Sequence, residues 1–136
     1  MELTTVAPVS ETAFLGQLLE LSSLLGYEAV HFRPAQTSRG WRTPVQGSLG
    51  KGWPDLVLVR ARDRRLIFAE LKADGGKTTS EQERVLEVLR SVEFEASCGE
   101  VPLAHTDDQR RECCPPLVEI VVWRPADFDA IVETLR

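Results

Sequence analysis

Two apolar runs, Leu56-Val57-Leu58-Val59 and Leu66-Ile67-Phe68-Ala69, stand on either side of a charged break from Arg60 to Arg65. Runs of this kind joined by a short polar turn read as a β-hairpin. Folding it with the turn near Asp63 sets Asp55 opposite Glu70 or Leu71. Side chains alternate faces along a strand, so Glu70 and Lys72 share one face. One end of a buried hairpin therefore gathers two carboxylates and an ammonium. Such a group is expensive to bury without a reason. A hard divalent cation supplies one, because Mg²⁺ takes carboxylate oxygens together with waters.

The segments around the hairpin place further polar groups toward it. Ser10 suits an N-cap, and a helix runs from there to about Leu25, with Gly26 as its stop. Its stripe of Phe14, Leu15, Leu18, Leu21 and Leu25 has helical spacing, and Glu11 heads that stripe. Taken alone, Glu11 is a first-turn glutamate favoured by the helix dipole. Beside an Asp55–Glu70 pair it becomes a candidate for the metal site. Glu28 to Phe32 reads as a short strand, and Arg33 to Lys51 as a loop. Ser80 and Glu83 fit a capping box that opens a second helix. Gln82 heads the stripe of Val85, Leu86 and Leu89, and so points toward the sheet. It is either a partly buried amide bonded to backbone or a group that holds water or a phosphate near the metal. Leu117 to Trp123 reads as the last strand and Pro125 to Leu135 as the last helix. The order α-β-β-β-α-β-α predicts an α/β fold with a mixed central sheet and helices on both faces.

A chain of 136 residues, 43% hydrophobic and 27% charged, is expected to form one globular domain spanning 1–136. It shows no secretory leader and no membrane-spanning run. Three cysteines, an odd number, argue for a reducing compartment. The net charge of −5 counts against a protein that coats nucleic acid through bulk charge. The charge is unevenly placed, however. Between Glu28 and Asp55 there is no acidic residue, while Arg33, Arg39, Arg42 and Lys51 stand there with Trp41. A basic, aromatic-bearing loop leading into Asp55 is a candidate DNA-binding surface, against the plainer reading of a solvated loop. Residues 93–116 fit neither helix nor strand. Cys98, His105, Cys113 and Cys114 in that stretch lack the spacing of common zinc sites.

The order Gly52-Trp53-Pro54-Asp55, strand, Glu70-Leu71-Lys72 resembles the PD-(D/E)xK nuclease superfamily. Ser10-Glu11, Gly26-Tyr27, His31-Phe32, Gln82, Trp123-Arg124-Pro125 and Asp127-Phe128 extend the resemblance to one branch, the virus-type replication-repair nuclease (VRR-NUC) domain. Against that family, 93–116 looks like an insertion before the final strand. The resemblance implies a restriction-endonuclease-like fold and a Mg²⁺- or Mn²⁺-dependent DNA endonuclease. Such an enzyme acts on branched or structured DNA in phage or bacterial replication, repair or recombination, often as a dimer and in the cytoplasm. It implies catalytic roles for Asp55, Glu70, Lys72 and Gln82. The metal would be held by Asp55, Glu70 and the Leu71 carbonyl, with Glu11 beside them. Lys72 would orient the attacking water or stabilise phosphate charge. A non-catalytic nucleic-acid-binding or assembly module on the same fold is the alternative, and sequence-specific restriction is a third.

Overall fold

The computed structural model describes residues 7–32, 35–42, 45–92 and 117–136. The 93–116 segment with its cysteines and His105, and Arg33 in the basic loop, lie outside the described residues.

Helix α1 (Glu11–Leu24) begins where the Ser10 hydroxyl accepts from the Ala13 amide at 3.1 Å. It ends in a Schellman turn. Tyr27 N–H reaches Ser22 O at 2.9 Å, Gly26 N–H reaches Ser23 O at 3.1 Å, and Gly26 takes φ 82°. The expected stripe is the buried one, with Phe14, Leu15 and Leu18 in the core. Strand β1 (Glu28–His31) follows.

The stretch read as a loop contains a small hairpin, β2 (Ala35–Thr37) and β3 (Gly40–Arg42). The turn closes because Thr37 Oγ1 donates to Gly40 O at 2.7 Å and accepts from Arg39 N–H at 3.2 Å, while Gly40 takes φ 99°. Among the described residues it forms a two-stranded sheet of its own, separate from the main sheet.

The central hairpin forms as the apolar runs require. β4 (Leu56–Arg60) and β5 (Arg65–Leu71) pair antiparallel with Leu56 opposite Ala69. One residue further out, that register sets Asp55 against Glu70. The four-stranded sheet has the order β1-β4-β5-β6, with β6 (Leu117–Trp123) parallel to β5 and the other pairs antiparallel. A sheet of this mixed kind, flanked by helices, is the restriction-endonuclease-like arrangement expected from the sequence.

Alternation along the strands separates two faces. Leu56, Leu58, Ile67, Ala69, Leu71 and Trp123 join α1 and the last helix, α3 (Phe128–Leu135), in one core. Helix α2 (Ser80–Arg90) packs on β6, with Val85 and Leu86 buried, and its Gln82 reaches Glu70 on the opposite face of β5. The last helix starts later than expected, since Pro125–Asp127 forms a 3₁₀ turn first.

The charged break needs one correction. Arg60 belongs to β4 and is only 3% exposed. Its guanidinium is buried because it is fully engaged. It donates to Asp63 at 2.7 and 2.9 Å, to Leu135 O at 2.8 Å and to Leu25 O at 3.1 Å, and lies 4.3 Å from the centre of the Tyr27 ring.

Candidate active site

Asp55 sits just before β4, fixed by its own backbone and by the neighbouring strand. Its carbonyl accepts from Phe32 N–H at 2.9 Å. Its carboxylate Oδ2 accepts from Leu71 N–H at 2.9 Å, a bond across the end of the β4–β5 hairpin. Glu70 stands on β5 with its side chain 1% exposed. Lys72 Nζ approaches Glu70 Oε1 at 3.2 Å, and Gln82 Nε2 donates to the same oxygen at 2.6 Å. Both partners thus gather on one oxygen. The other, Oε2, is buried and has no hydrogen-bond partner. An unsatisfied buried carboxylate oxygen is costly unless something positive or protonated meets it.

The two carboxyls disturb each other. Burial pushes Glu70 up to about 7, and the Asp55 charge adds to the rise. Asp55 is also raised, first by burial and further by Glu11, while the Leu71 amide and Lys72 oppose the rise. This is the pattern of a site shaped for a cation: two acids close together, one already taking up a proton in place of it. The residues present fit a hard divalent ion, with Asp55 and Glu70 Oε2 as donors.

Glu11 is nearby but differently engaged. Its Oε1 accepts from Ala73 N–H at 3.3 Å. Among the described residues no cluster of three acidic, histidine or cysteine side chains forms a ready metal cage. The arrangement is a carboxylate pair with Glu11 at its margin. Glu11 and Asp55 nonetheless line one cavity of about 480 Å³, with Thr12, Leu15, Phe32, Trp41 and Leu71.

Gln82 has a second task that its helical position did not reveal. The N-cap of α2 is Thr79, not Ser80, and Gln82 rather than Glu83 closes the capping box. Its Oε1 accepts from Thr79 N–H at 2.9 Å while its Nε2 serves Glu70. Ser80 with Glu83 matches the same sequence pattern, but Glu83 instead receives the Thr78 hydroxyl. Gly52 also does more than precede the Pro-Asp pair. At φ 93° it passes so close to α2 that a Cβ there would lie 2.6 Å from the Glu81 backbone. Two separate contacts therefore fix the first turn of α2 against the site. The sequence signal was a glycine two residues before Pro54.

The basic loop is seen in part. Arg39 lies in the β2–β3 turn, and Trp41 is 70% exposed on β3. Arg42 ends β3. Lys51 forms a 2.7 Å ion pair with Glu81, which draws that carboxyl well below the usual range.

A family model of the VRR-NUC domain matches residues 16–101, more than half of the chain. No curated protein and no solved structure matches it. The matched span holds Asp55, Glu70, Lys72 and Gln82.

Proposed function

The chain belongs to the VRR-NUC family, a family of nucleases, and on that premise we propose that it is a Mg²⁺-dependent endonuclease that hydrolyses phosphodiester bonds in branched or structured DNA. The observation that carries this reading is the unpartnered Glu70 Oε2, buried beside Asp55. Asp55 and Glu70 would hold the ion, with the Leu71 carbonyl as a further donor. Bound there, Mg²⁺ or Mn²⁺ neutralises phosphate charge and makes a coordinated water more acidic.

The protein's own groups prepare that chemistry. Leu71 N–H fixes the Asp55 carboxylate in orientation. Lys72 and Gln82 hold Glu70 by one oxygen and leave the other for the ion. The Lys72 ammonium, 13% exposed beside Glu70, would steady the attacking water or the developing charge on the phosphate. Gln82 acts as a positioning residue, tying the α2 cap to Glu70. Arg39, Trp41 and Arg42 on the small hairpin, with Arg33 and Lys51, supply the DNA-facing side of the proposal; Lys51 would have to exchange Glu81 for a phosphate.

The test is a panel of linear duplex, single strand, flap, fork and four-way junction, with Mg²⁺ and with Mn²⁺ at fixed salt. Wild type is expected to cut a branched substrate. Asp55→Asn and Glu70→Gln should lose both cleavage and the Mg²⁺-dependent thermal shift. Lys72→Met should keep the thermal shift and lose turnover by about 10²–10³-fold, the usual range for removing one charge-stabilising group. A wild-type protein that binds DNA, shows no Mg²⁺-dependent shift and cuts nothing would be the non-catalytic module instead.

A further inference from the structure

The cavity shared by α1, β3 and the Asp55 end of the hairpin has a wall unlike that of a phosphate groove. Next to Asp55 and Leu71 it is built from Leu15, Phe32 and Trp41. Phe32 is braced from behind. Its ring meets Trp53 edge-on at 6.4 Å, and Trp53 meets Phe68 at 5.8 Å. Trp41 is the opposite case, a large apolar side chain left 70% exposed on a separate two-stranded hairpin. One fixed and one exposed aromatic thus line a single space. Its volume of about 480 Å³ lies within the roughly 300–1,000 Å³ of pockets that take small molecules. The same space touches Asp55, one of the two carboxylates proposed to hold the ion.

We propose that this cavity receives one unpaired nucleobase from the strand being cut, stacked on Trp41 beside Phe32. The proposal rests on the nuclease reading above and names its substrate class: DNA with an unpaired nucleotide next to the scissile phosphate. Every base presents a π-face to an aromatic ring, so stacking of this kind needs no sequence preference. A base inside an intact duplex enters only if it is unpaired and unstacked first, which is unfavourable. Flap and fork junctions offer such a nucleotide without that penalty. The polar residues of the cavity are Asp55 and, in the first turn of α1, Glu11 and Thr12.

The experiment places 2-aminopurine, whose emission is quenched on stacking, at each position around the junction of a flap and at matching positions in a duplex. Binding is measured in EDTA, so that the result does not depend on catalysis. The expected result is a change in emission at one unpaired position in the flap and none in the duplex. Trp41→Ala should abolish it and weaken flap binding about fivefold to a hundredfold, the range for losing one base–aromatic stack, and more than it weakens duplex binding. Trp41→Phe should restore part of the effect. Thr12→Phe, which fills the cavity from an exposed position on α1, should abolish the signal with Trp41 still present. The proposal is overturned if no position responds in the wild type, whether or not DNA binds. An equal response in the duplex, or one that survives Trp41→Ala, overturns it as well. Cleavage by the same wild-type protein with Mg²⁺ is scored separately, so loss of the nuclease reading and loss of the base pocket are told apart.

Discussion

Glu70 titrates near 7 because burial disfavours its anion and Asp55 places a like charge beside it. In the unfolded chain its value is the ordinary 4.5. Between those two values the folded chain binds more protons than the unfolded one. The contribution to stability is therefore complete below 4.5 and is lost as pH rises through about 7. Asp55, raised by the same burial, adds in the same direction. In EDTA, the melting temperature should fall between about pH 5 and about pH 8, and Glu70→Gln should flatten that fall. A wild-type profile that is level or rises over this range would contradict the burial of the pair. Mg²⁺ should act oppositely, stabilising more as pH rises, since it takes the place of the Glu70 proton. Strand alternation was sufficient to place Asp55, Glu70 and Lys72 together from sequence. It could not place Arg60, whose burial depends on carbonyls from Leu25 and Leu135, far away along the chain.

At the scale of elements, α2 is set by two contacts of very different kinds. One is the capping box of Thr79 and Gln82, the other the close passage of Gly52 under the Glu81 backbone. Gly52→Ala combines a strained φ with a backbone collision. Gly40→Ala meets the same strain, with φ 99°, but has open space around it. Gly40→Ala should destabilise by about 1 kcal/mol and Gly52→Ala by more than about 2 kcal/mol, as read by denaturant titration. Gly52→Ala should also cut activity well beyond its effect on folding, because Gln82 moves with the α2 cap. Equal effects at the two glycines would mean that the loop, rather than α2, absorbs the change. The long elements were legible because their apolar periodicity is strong. The β2–β3 hairpin was not, because strands of three residues are too short to carry a period. The N-cap of α2 was misplaced by one residue because two overlapping pairs fit the same pattern. Only the position of Glu70 decides between them.

Across the whole molecule, Arg60 links the ends of three elements: the β4–β5 turn through Asp63, the end of α1 through Leu25 O, and the end of α3 through Leu135 O. Arg60→Ala takes a donor from three carbonyls, those of Leu25, Leu135 and Arg136, and should destabilise by about 3 kcal/mol or more, without altering the denaturant slope if the fold stays whole. An effect below about 1 kcal/mol would show that water replaces the guanidinium at no loss. The sheet also joins pairings of very unequal reach. β4 and β5 meet across the short turn 61–64, whereas β5 and β6 run parallel, with Arg65 and its partner Glu119 54 residues apart. Closing the long connection is entropically slower, so the hairpin is expected to form first and β6 to dock afterwards. Asp55 and Glu70 face each other across the end of that early hairpin. Their mutual repulsion then acts on the folding transition state as well as on the native state. Neutralising Glu70 should therefore speed refolding rather than only slow unfolding, a difference that the two arms of a chevron plot would separate. The chain would then meet the repulsion of this carboxylate pair as a kinetic obstacle while it is still folding.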